Sequence, residues 1–228
     1  MVLILRVNKP NELRNLWPIS LYYVIYKIVT KVIASRLKTC LPSIISSFQS
    51  AFVPRRQIFD NILVTCETLH SLARKKSGNR GQMTMKLDMS KVYDRVEWPF
   101  LKSVMIKMNF PQNRINLIMD CISSANLSFL LNGRLVCYVS SSRGLMQGCL
   151  LSPYMFFLCA DTFSCLVSKF ERGGRILGFK CARGVPLISY LMFADNNILF
   201  YKASNASDSH ICNILGIYER ASGQQINM

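Results

Sequence analysis

The chain has 228 residues, half of them hydrophobic, which is enough apolar material to bury a sizeable core and excludes a disordered tail. Its 28 Lys and Arg residues outnumber its 12 Asp and Glu residues, and the net charge of +16 favours a polyanionic partner such as nucleic acid or an anionic membrane. The nine cysteines include no CxxC pair and lie mostly in apolar runs, so they support neither a zinc site nor a disulfide framework.

No stretch of the sequence has the features of a targeting signal or a membrane span. The N-terminal MVLIL is too short for the apolar part of a signal peptide and is interrupted by Arg6. Lys27 and Lys31 interrupt the run LYYVIYKIVTKVIA, and Asp161 interrupts the run after Tyr154. We therefore expect an intracellular protein with reduced thiols, and the sequence predicts no particular compartment.

The first predicted element is an amphipathic helix over about residues 20–38. Apolar residues recur there at helical spacing, while Lys27, Lys31 and Lys38 share another face. The apolar positions are Val24, Ile25, Ile28, Val29, Val32, Ile33 and Leu37. A packed helix explains this pattern. A basic peripheral membrane protein is an alternative that liposome sedimentation would test.

The sequence QIFDNILVTCETLHSL predicts a second helix after an irregular basic loop. Its apolar positions are Ile62, Leu63, Leu69 and Leu72. Residues 74–82 form a polar connection, and MTMKLD then predicts a strand that ends at Asp88. The inward positions of that strand are Met83, Met85 and Leu87.

The second half of the chain mixes helices and strands without strict alternation. A helix with Pro99 in its first turn precedes the hairpin NLSFLLNGRLVCYV, which turns at the Asn-Gly pair 132–133. Ser152 is predicted to cap a long apolar helix that reaches about Lys169. The strand-like ILGFKCA, the hairpin LMFADNNILFYKA and a helix over 207–222 follow. We predict an α+β fold with an antiparallel sheet and helices packed mainly on one face.

Two carboxylates occupy positions that could serve catalysis. Asp88 ends a predicted strand, and Asp195 lies at the tip of the hairpin LMFADNNILFYKA. Either residue by itself is more often a turn former or a helix cap. Held on adjacent strands, the two carboxylates could bind divalent ions about 3.5–4 Å apart, the arrangement used in phosphoryl transfer.

Six blocks of the sequence resemble, in order and approximate spacing, the reverse transcriptase domain of LINE-type (non-LTR) retrotransposons. They are WPISLYYVIYKIVTKVIASRLK, QSAFVPRRQIFDNIL, MKLDMSKVYDRVEWPFLKSVM, RGLMQGCLLSPYMFFLCAD, YLMFADNNILFY and YERASGQQIN. Together they span almost the whole chain, so the resemblance is far more specific than one short motif. It implies an RNA-directed DNA polymerase with a right-hand fold, of which this chain has fingers (about 1–82) and palm (about 83–228).

The resemblance also implies ligands and extent. We expect an RNA template, a DNA primer and deoxynucleoside triphosphates as ligands, Mg²⁺ or Mn²⁺ as the cofactor, and no association with a membrane. The chain ends at QQINM, before the Lys-Ser pair and the thumb of family members. We therefore expect a single domain over residues 1–228, without a thumb, an endonuclease or an RNase H segment.

The resemblance assigns roles to individual residues of the palm. Asp88 and Asp195 match the metal-binding carboxylates, which would hold two Mg²⁺ ions on neighbouring antiparallel strands. Tyr93 matches the aromatic gate that excludes a 2′-hydroxyl beneath the sugar. Gln147 and Gly148 match a loop that lies along the incoming nucleotide and template, where a glycine permits close backbone approach.

The fingers carry the basic positions of the resemblance. Arg56, and less closely Arg55, match a loop that clamps phosphate, a task suited to a guanidinium. Together with Lys27 and Lys31, they would form a basic surface for RNA or DNA. Apart from the resemblance, paired arginines are more often a solvated surface.

Several motif positions depart from the family pattern. Asn196 stands where the family has the second Asp of FADD, and its neutral amide in place of a carboxylate should weaken metal binding. The other departures are Trp17 for Arg, Arg55 for Gly, Met146 for Arg, Cys149 for Asp and Leu150 for Pro. This pattern indicates a degenerate copy with weak or absent activity. The alternative is a non-catalytic nucleic-acid-binding remnant, and Mg²⁺-dependent primer extension separates the two.

Overall fold

The computed structural model describes residues 2–5, 7–9, 11–12, 15–50, 53–74, 81–124, 126–131, 134–181, 184–193 and 196–227. In chain order the elements are β1 (Val2–Leu5), β2 (Leu16–Ile19), α1 (Val24–Ile44), α2 (Ile58–Arg74), β3 (Gln82–Met89), α3 (Trp98–Lys107), α4 (Gln112–Ser123), β4 (Asn126–Leu131), β5 (Arg134–Ser140), α5 (Ser152–Arg172), β6 (Tyr190–Phe193), β7 (Asn196–Lys202), α6 (Asn205–Ser222) and β8 (Ile226–Asn227).

A four-stranded antiparallel sheet organises the fold, with the strand order β6-β7-β3-β8. Strand β3 pairs with β7 along its length, from Gln82 opposite Lys202 to Asp88 opposite Asn196. Strands β1 and β2, and strands β4 and β5, form two separate antiparallel pairs. The prediction of an α+β fold with an antiparallel sheet is confirmed.

The main hydrophobic core lies between this sheet and α5, of which Phe163 is fully buried against Tyr190 of β6. Helices α3 and α6 contact α5 and each other, so they share this layer. Helix α2 contacts β6, where a smaller cluster of Phe179, Leu191 and Phe200 is buried. The helices therefore pack mainly on one face of the sheet, with α2 against the other.

Helix α2 turns three polar residues toward the protein, beside Val64 and Leu72, which pack against the smaller cluster. Asn61, Thr65 and Thr68 are buried at i, i+4 and i+7, and both threonine hydroxyls donate to carbonyls of the preceding turn. Ile62 and Leu63 are exposed. Burial of these polar groups is tolerated because each has a hydrogen-bond partner.

Helix α1 begins and ends later than predicted, and its apolar stripe is not the packed face throughout. The helix spans Val24–Ile44, and its buried residues are Thr30, Ala34, Leu37 and Leu41. Val24, Ile25 and Ile28 are 57–76% exposed. The packing prediction is therefore wrong for the first half of the helix, because helical spacing identifies an apolar face without supplying an element to cover it.

The predicted inward positions of strand β3 are buried to different extents. Leu87 is buried as expected, while Met83 is 38% exposed at the start of the strand. Period-two alternation predicts which residues share a face. The depth of each residue depends on how far the neighbouring helices extend along the sheet.

Several local predictions meet a different outcome. Ser152 is the first residue of α5 and Leu151 the N-cap, so the Ser152 hydroxyl donates to the Met146 carbonyl (2.8 Å) instead of capping the helix. The predicted strand ILGFKCA is reduced to a single β-bridge between Phe179 and Ile188 in the described residues 176–181. The Asn-Gly turn at 132–133 lies outside the described residues. Elements β1, β2, α4 and β8 were not predicted.

Among the residues that the structure describes, no helix is both long enough and apolar enough to cross a membrane.

Candidate active site

Asp88 lies at the end of β3 between two asparagines on the neighbouring strands. Its partner across β7 is Asn196, and its partner across β8 is Asn227. Directly opposed residues of an antiparallel ladder project to the same face, with Cβ atoms about 4.5–5.5 Å apart. The Asp88 side chain is exposed and Asn196 is half-buried. One carboxylate and two amides therefore form a row across the end of the sheet.

The second predicted carboxylate, Asp195, lies outside the described residues. It directly precedes Asn196, the first residue of β7, so it follows the hairpin strand β6 in sequence. A side-chain hydrogen bond links the two strands of the hairpin, because the Tyr190 hydroxyl of β6 donates to the buried Asn197 side-chain oxygen of β7. The pairing of Asp88 with Asp195 stays a prediction, whereas the pairing of Asp88 with Asn196 is observed.

Two predicted nucleotide-binding segments are joined by main-chain hydrogen bonds. After β3 the chain turns through Tyr93, whose carbonyl accepts from the Leu145 N–H (2.6 Å). The Gly144 N–H donates to the Val96 carbonyl (2.8 Å), and the Trp98 indole N–H donates to the Gly144 carbonyl (2.8 Å). The loop that carries Gln147 is thus attached to the segment that follows Asp88.

The Tyr93 ring is half-buried and stacks on Phe156 of α5, with ring centroids 5.4 Å apart. Stacking of this kind limits the movement of the Tyr93 ring. It is compatible with either an ordinary core tyrosine or a rigid gate at the palm.

Gly148 requires its glycine for two reasons. Its φ of +92° is strained for any residue with a side chain, and an added Cβ would lie 3.1 Å from the Ser20 carbonyl oxygen and 3.2 Å from Ile19 Cγ2. The Ser20 N–H also donates to the Gln147 carbonyl (3.0 Å). The close approach expected at Gly148 therefore includes the chain's own backbone after β2, and contact with a nucleotide stays a prediction.

Arg56 is directed into the protein. Its guanidinium donates to the carbonyls of Ile45 (3.1 Å) and Gln49 (2.7 Å), to that of Ser46, and at 3.4 Å to that of Pro42. Carbonyls at the end of a helix have no partner within the helix, and a cation there also complements the helix dipole. In this conformation Arg56 completes the C-terminus of α1, and contact of its guanidinium with a phosphate stays a prediction.

Arg55 has the opposite environment. Its side chain is exposed, and its φ is +66°, in the left-handed region that favours glycine. The family pattern has glycine at this position. A residue with a side chain therefore occupies a backbone conformation that glycine adopts at less cost.

Asp161 of α5 supports the same junction from within the core. Its carboxylate accepts from the Ser46 N–H (3.0 Å) and is buried. Burial raises the pKa of the Asp161 carboxyl, although the hydrogen bond from Ser46 and the nearby Arg56 guanidinium act in the opposite direction. An acid inside the apolar run FFLCAD is thus explained by the end of α1.

Asn61 is a positioning residue that the sequence analysis missed. Its buried amide donates to the Phe48 carbonyl (2.9 Å) and to the Met192 carbonyl (3.0 Å) of β6. The Met192 N–H donates in turn to the Phe48 carbonyl (3.2 Å). The loop before α2 is thereby fastened to the strand that precedes Asp195. The only signal available was the presence of Asn61 in the block QSAFVPRRQIFDNIL.

Residues 7–228 match the family described as reverse transcriptase (RNA-dependent DNA polymerase). The chain belongs to the reverse transcriptase family. An uncharacterized 149 kDa protein of the transposon TX1 from Xenopus laevis is 32% identical over 157 residues, which are 69% of this chain and 12% of that protein. An uncharacterized mitochondrial protein of Arabidopsis thaliana is 41% identical over 70 residues, which are 31% of this chain and 57% of that protein. This reverse transcriptase chain thus aligns with only part of each relative.

Solved telomerase structures share the fold. Telomerase from Candida tropicalis, in complex with a fragment of telomeric RNA, covers 90% of this chain with a TM-score of 0.57 and 16% identity. The corresponding complex from Candida albicans covers 89% with a TM-score of 0.52 and 16% identity. This chain spans about a third of each telomerase chain. At such identity the similarity concerns the polymerase fold alone.

Proposed function

We propose that this chain is the polymerase domain of a LINE-type, non-LTR retroelement reverse transcriptase whose catalytic activity is weak or absent. Its ligands are an RNA template, a DNA primer and deoxynucleoside triphosphates. The observation that carries the proposal is the β3–β7 register, which sets Asn196 directly across from Asp88. Relatedness to the TX1 transposon protein supports the retroelement origin.

The side chains of Asp88 and Asn196 are of the types that bind divalent ions, but together they carry one negative charge and not two. The Asp88 carboxylate and the Asn196 amide offer the hard oxygen ligands that Mg²⁺ or Mn²⁺ prefers, and Asp195 would add a second carboxylate. Bound Mg²⁺ would activate the primer 3′-hydroxyl and neutralise the triphosphate. Because Asn196 contributes a neutral oxygen where the family has an anion, we expect weaker binding of paired dications.

The other proposed roles are divided between a fingers region and a palm region. Residues 1–82 form the fingers and residues 83–228 the palm. Tyr93 lies beneath the sugar of the incoming nucleotide, and Gln147 with Gly148 lies along its base and template. The hydrogen bond from the Leu145 N–H to the Tyr93 carbonyl supports a common position for these two segments.

The catalytic test is addition of one nucleotide to a primed RNA template with Mg²⁺ or Mn²⁺. We expect little extension by the unmodified chain, and tighter Mg²⁺ binding by Asn196→Asp, because that variant restores a carboxylate opposite Asp88. Asn196→Asp alone should restore little synthesis, since residues that act as one catalytic unit are strongly non-additive. Asp195→Ala is the control. Robust extension by the unmodified chain that Asp195→Ala abolishes would show that the amide is a tolerated ligand.

Nucleic-acid binding is tested separately from catalysis. We assign the basic surface to Lys27, Lys31 and Arg55, which are exposed, while Arg56 supports α1. Replacing the three exposed residues by alanine should lower the slope of log affinity against log salt by about 2 for single-stranded RNA, since each lost phosphate contact accounts for about 0.7.

A triple alanine variant of Lys102, Lys107 and Lys169 is the matched control, because it removes the same charge from exposed positions on α3 and α5. Equal slopes for the two variants would mean that binding depends on net charge and not on the fingers. Binding without extension under any metal condition would favour the second candidate, a non-catalytic nucleic-acid-binding remnant.

A further inference from the structure

Helix α1 has two apolar stripes, of which one attaches it to the protein. The attached stripe follows i, i+3 and i, i+4 spacing, and Tyr26 in the first turn of the helix donates from its hydroxyl to the Cys121 carbonyl of α4 (2.7 Å). Its members are Tyr22, Tyr26, Thr30, Ala34, Leu37 and Leu41. Leu41 is fully buried. This stripe accounts for the position of the helix without any contribution from the second one.

The second stripe faces solvent over the first half of the helix and the residues before it. The exposed fractions are 64% for Leu21, 90% for Tyr23, 70% for Val24, 76% for Ile25, 57% for Ile28 and 46% for Val32. Single exposed apolar residues are ordinary, whereas a contiguous row of them marks an interaction site. A helix that is apolar on more than one face normally has a partner on each.

The exposed stripe borders a groove between α1 and α4. The groove has a volume of about 430 Å³, and its walls are apolar, with Ile28 and Val32 from α1 facing Phe110 and Leu117 near and on α4. Along α1 its lining residues run from Ile28 to Cys40, which is about 18 Å of helix. A trough of this length and composition fits the apolar face of a short helix.

The charges around the groove are basic. Arg36 of α1 and Arg114 of α4 line it, and Lys27 and Lys31 lie on α1 beside the exposed stripe. The sequence of α1 contains no Asp or Glu. A ligand that fills this groove therefore has an apolar surface with negative charges at its edges.

We propose that the groove between α1 and α4 binds an amphipathic helix of a partner protein, with acidic residues flanking its apolar face. The apolar side chains enter the groove, and the acidic residues meet Arg36 and Arg114. A second copy of this chain is disfavoured, because its net charge is +16 and the contact would bring like charges together. A bilayer is disfavoured because the apolar surface is concave, and a polyphosphate because the lining is apolar.

The test uses the full chain and fluorescently labelled peptides of about 14 residues, or about four helical turns. One peptide carries Leu at i, i+3, i+4 and i+7 with Glu beside them, a second replaces Glu by Lys, and a third has the Leu positions scrambled. We expect fluorescence anisotropy to show binding of the Glu peptide. The Lys peptide should bind at least about tenfold more weakly, a difference of about 1.4 kcal/mol or more. The Ile28→Asp variant should lose binding of the Glu peptide.

Leu63→Asp is the matched control, because Leu63 is 62% exposed on α2 and lies outside the groove. Binding lost in both variants, binding indifferent to peptide charge, or no binding of the Glu peptide to the unmodified chain would each overturn the proposal. Self-association abolished by Ile28→Asp would identify a second copy as the occupant. Sedimentation with vesicles of anionic phospholipid, lost in the same variant while no peptide binds, would identify a membrane.

Discussion

Helices α1 and α5 each have 21 residues, yet they are buried to very different extents. Twelve residues of α5 are buried, against four of α1. Helix α5 lies between the sheet and its neighbouring helices, whereas α1 is held along one stripe and at its C-terminal end. The comparison shows that apolar spacing predicts a helix and its apolar faces, while burial depends on which other elements lie against those faces.

The largest expected difference between the two helices is in the effect of truncating an apolar side chain. Phe163→Ala removes a fully buried ring that contacts Tyr190 and Tyr218, and should lower the free energy of unfolding by about 3–5 kcal/mol. Ile25→Ala, at a position 76% exposed, should change it by less than about 0.5 kcal/mol. Urea denaturation measures both. A large effect of Ile25→Ala would mean that α1 is packed in solution.

The C-terminal end of α1 should be the part of that helix most sensitive to mutation. Arg56→Ala removes a guanidinium bound to several carbonyls, and we expect a loss of about 2–3 kcal/mol, because hydrogen bonds to charged groups contribute about 1.5–3 kcal/mol. Arg55→Ala, which removes an exposed guanidinium next to it, is the control and should have little effect on the urea midpoint. Equal destabilisation by the two variants would contradict the structural role of Arg56.

The contact between α1 and α5 should depend on pH through Asp161. Because its pKa is raised in the folded chain, its stabilising contribution is present below the unfolded value of 3.8 and is lost as pH rises through the folded value. The free energy of unfolding of the unmodified chain should therefore fall, relative to Asp161→Asn, as the pH rises from about 4 through the raised folded pKa. Asparagine retains the oxygen that accepts from Ser46. A constant difference across that range would mean that Asp161 titrates normally.

A small stabilising effect is expected at Arg55, where the backbone is strained and the side chain is exposed. Arg55→Gly should raise the free energy of unfolding, measured by urea denaturation, by at most about 1 kcal/mol, since relief of a left-handed conformation is partly offset by the entropy of glycine. Gln57 is an exposed neighbour whose φ is not positive, so Gln57→Gly should lower the free energy of unfolding. Destabilisation at both positions would contradict the strain at Arg55.

Much of the candidate site was predictable because its elements are encoded by short-range patterns. The strand that carries Asp88 and the hairpin strands on either side of Asp195 follow from residues within a few positions of each other, whereas the glycine at 148 was expected from the family resemblance. The hydrogen bonds of Arg56 were not predictable, because nothing in the sequence indicates that the carbonyls at the end of α1 lie within its reach. Asn61 and Asn227 were missed for the same reason, since an isolated Asn has no pattern from which its long-range partners can be inferred.

By itself the sequence determined that this chain is a basic α+β protein of the reverse transcriptase family, with Asn196 directly after Asp195. Composition, apolar periodicity and ordered motifs are sufficient for that, because each is a property of neighbouring residues or of the chain as a whole. Only the tertiary structure decided that Asn196 lies opposite Asp88, that Arg56 turns inward beside Asp161, and that the second stripe of α1 stays exposed. These outcomes depend on strand register and on contacts between residues far apart in sequence, where a shift of one residue in a strand would move every side chain to the other face.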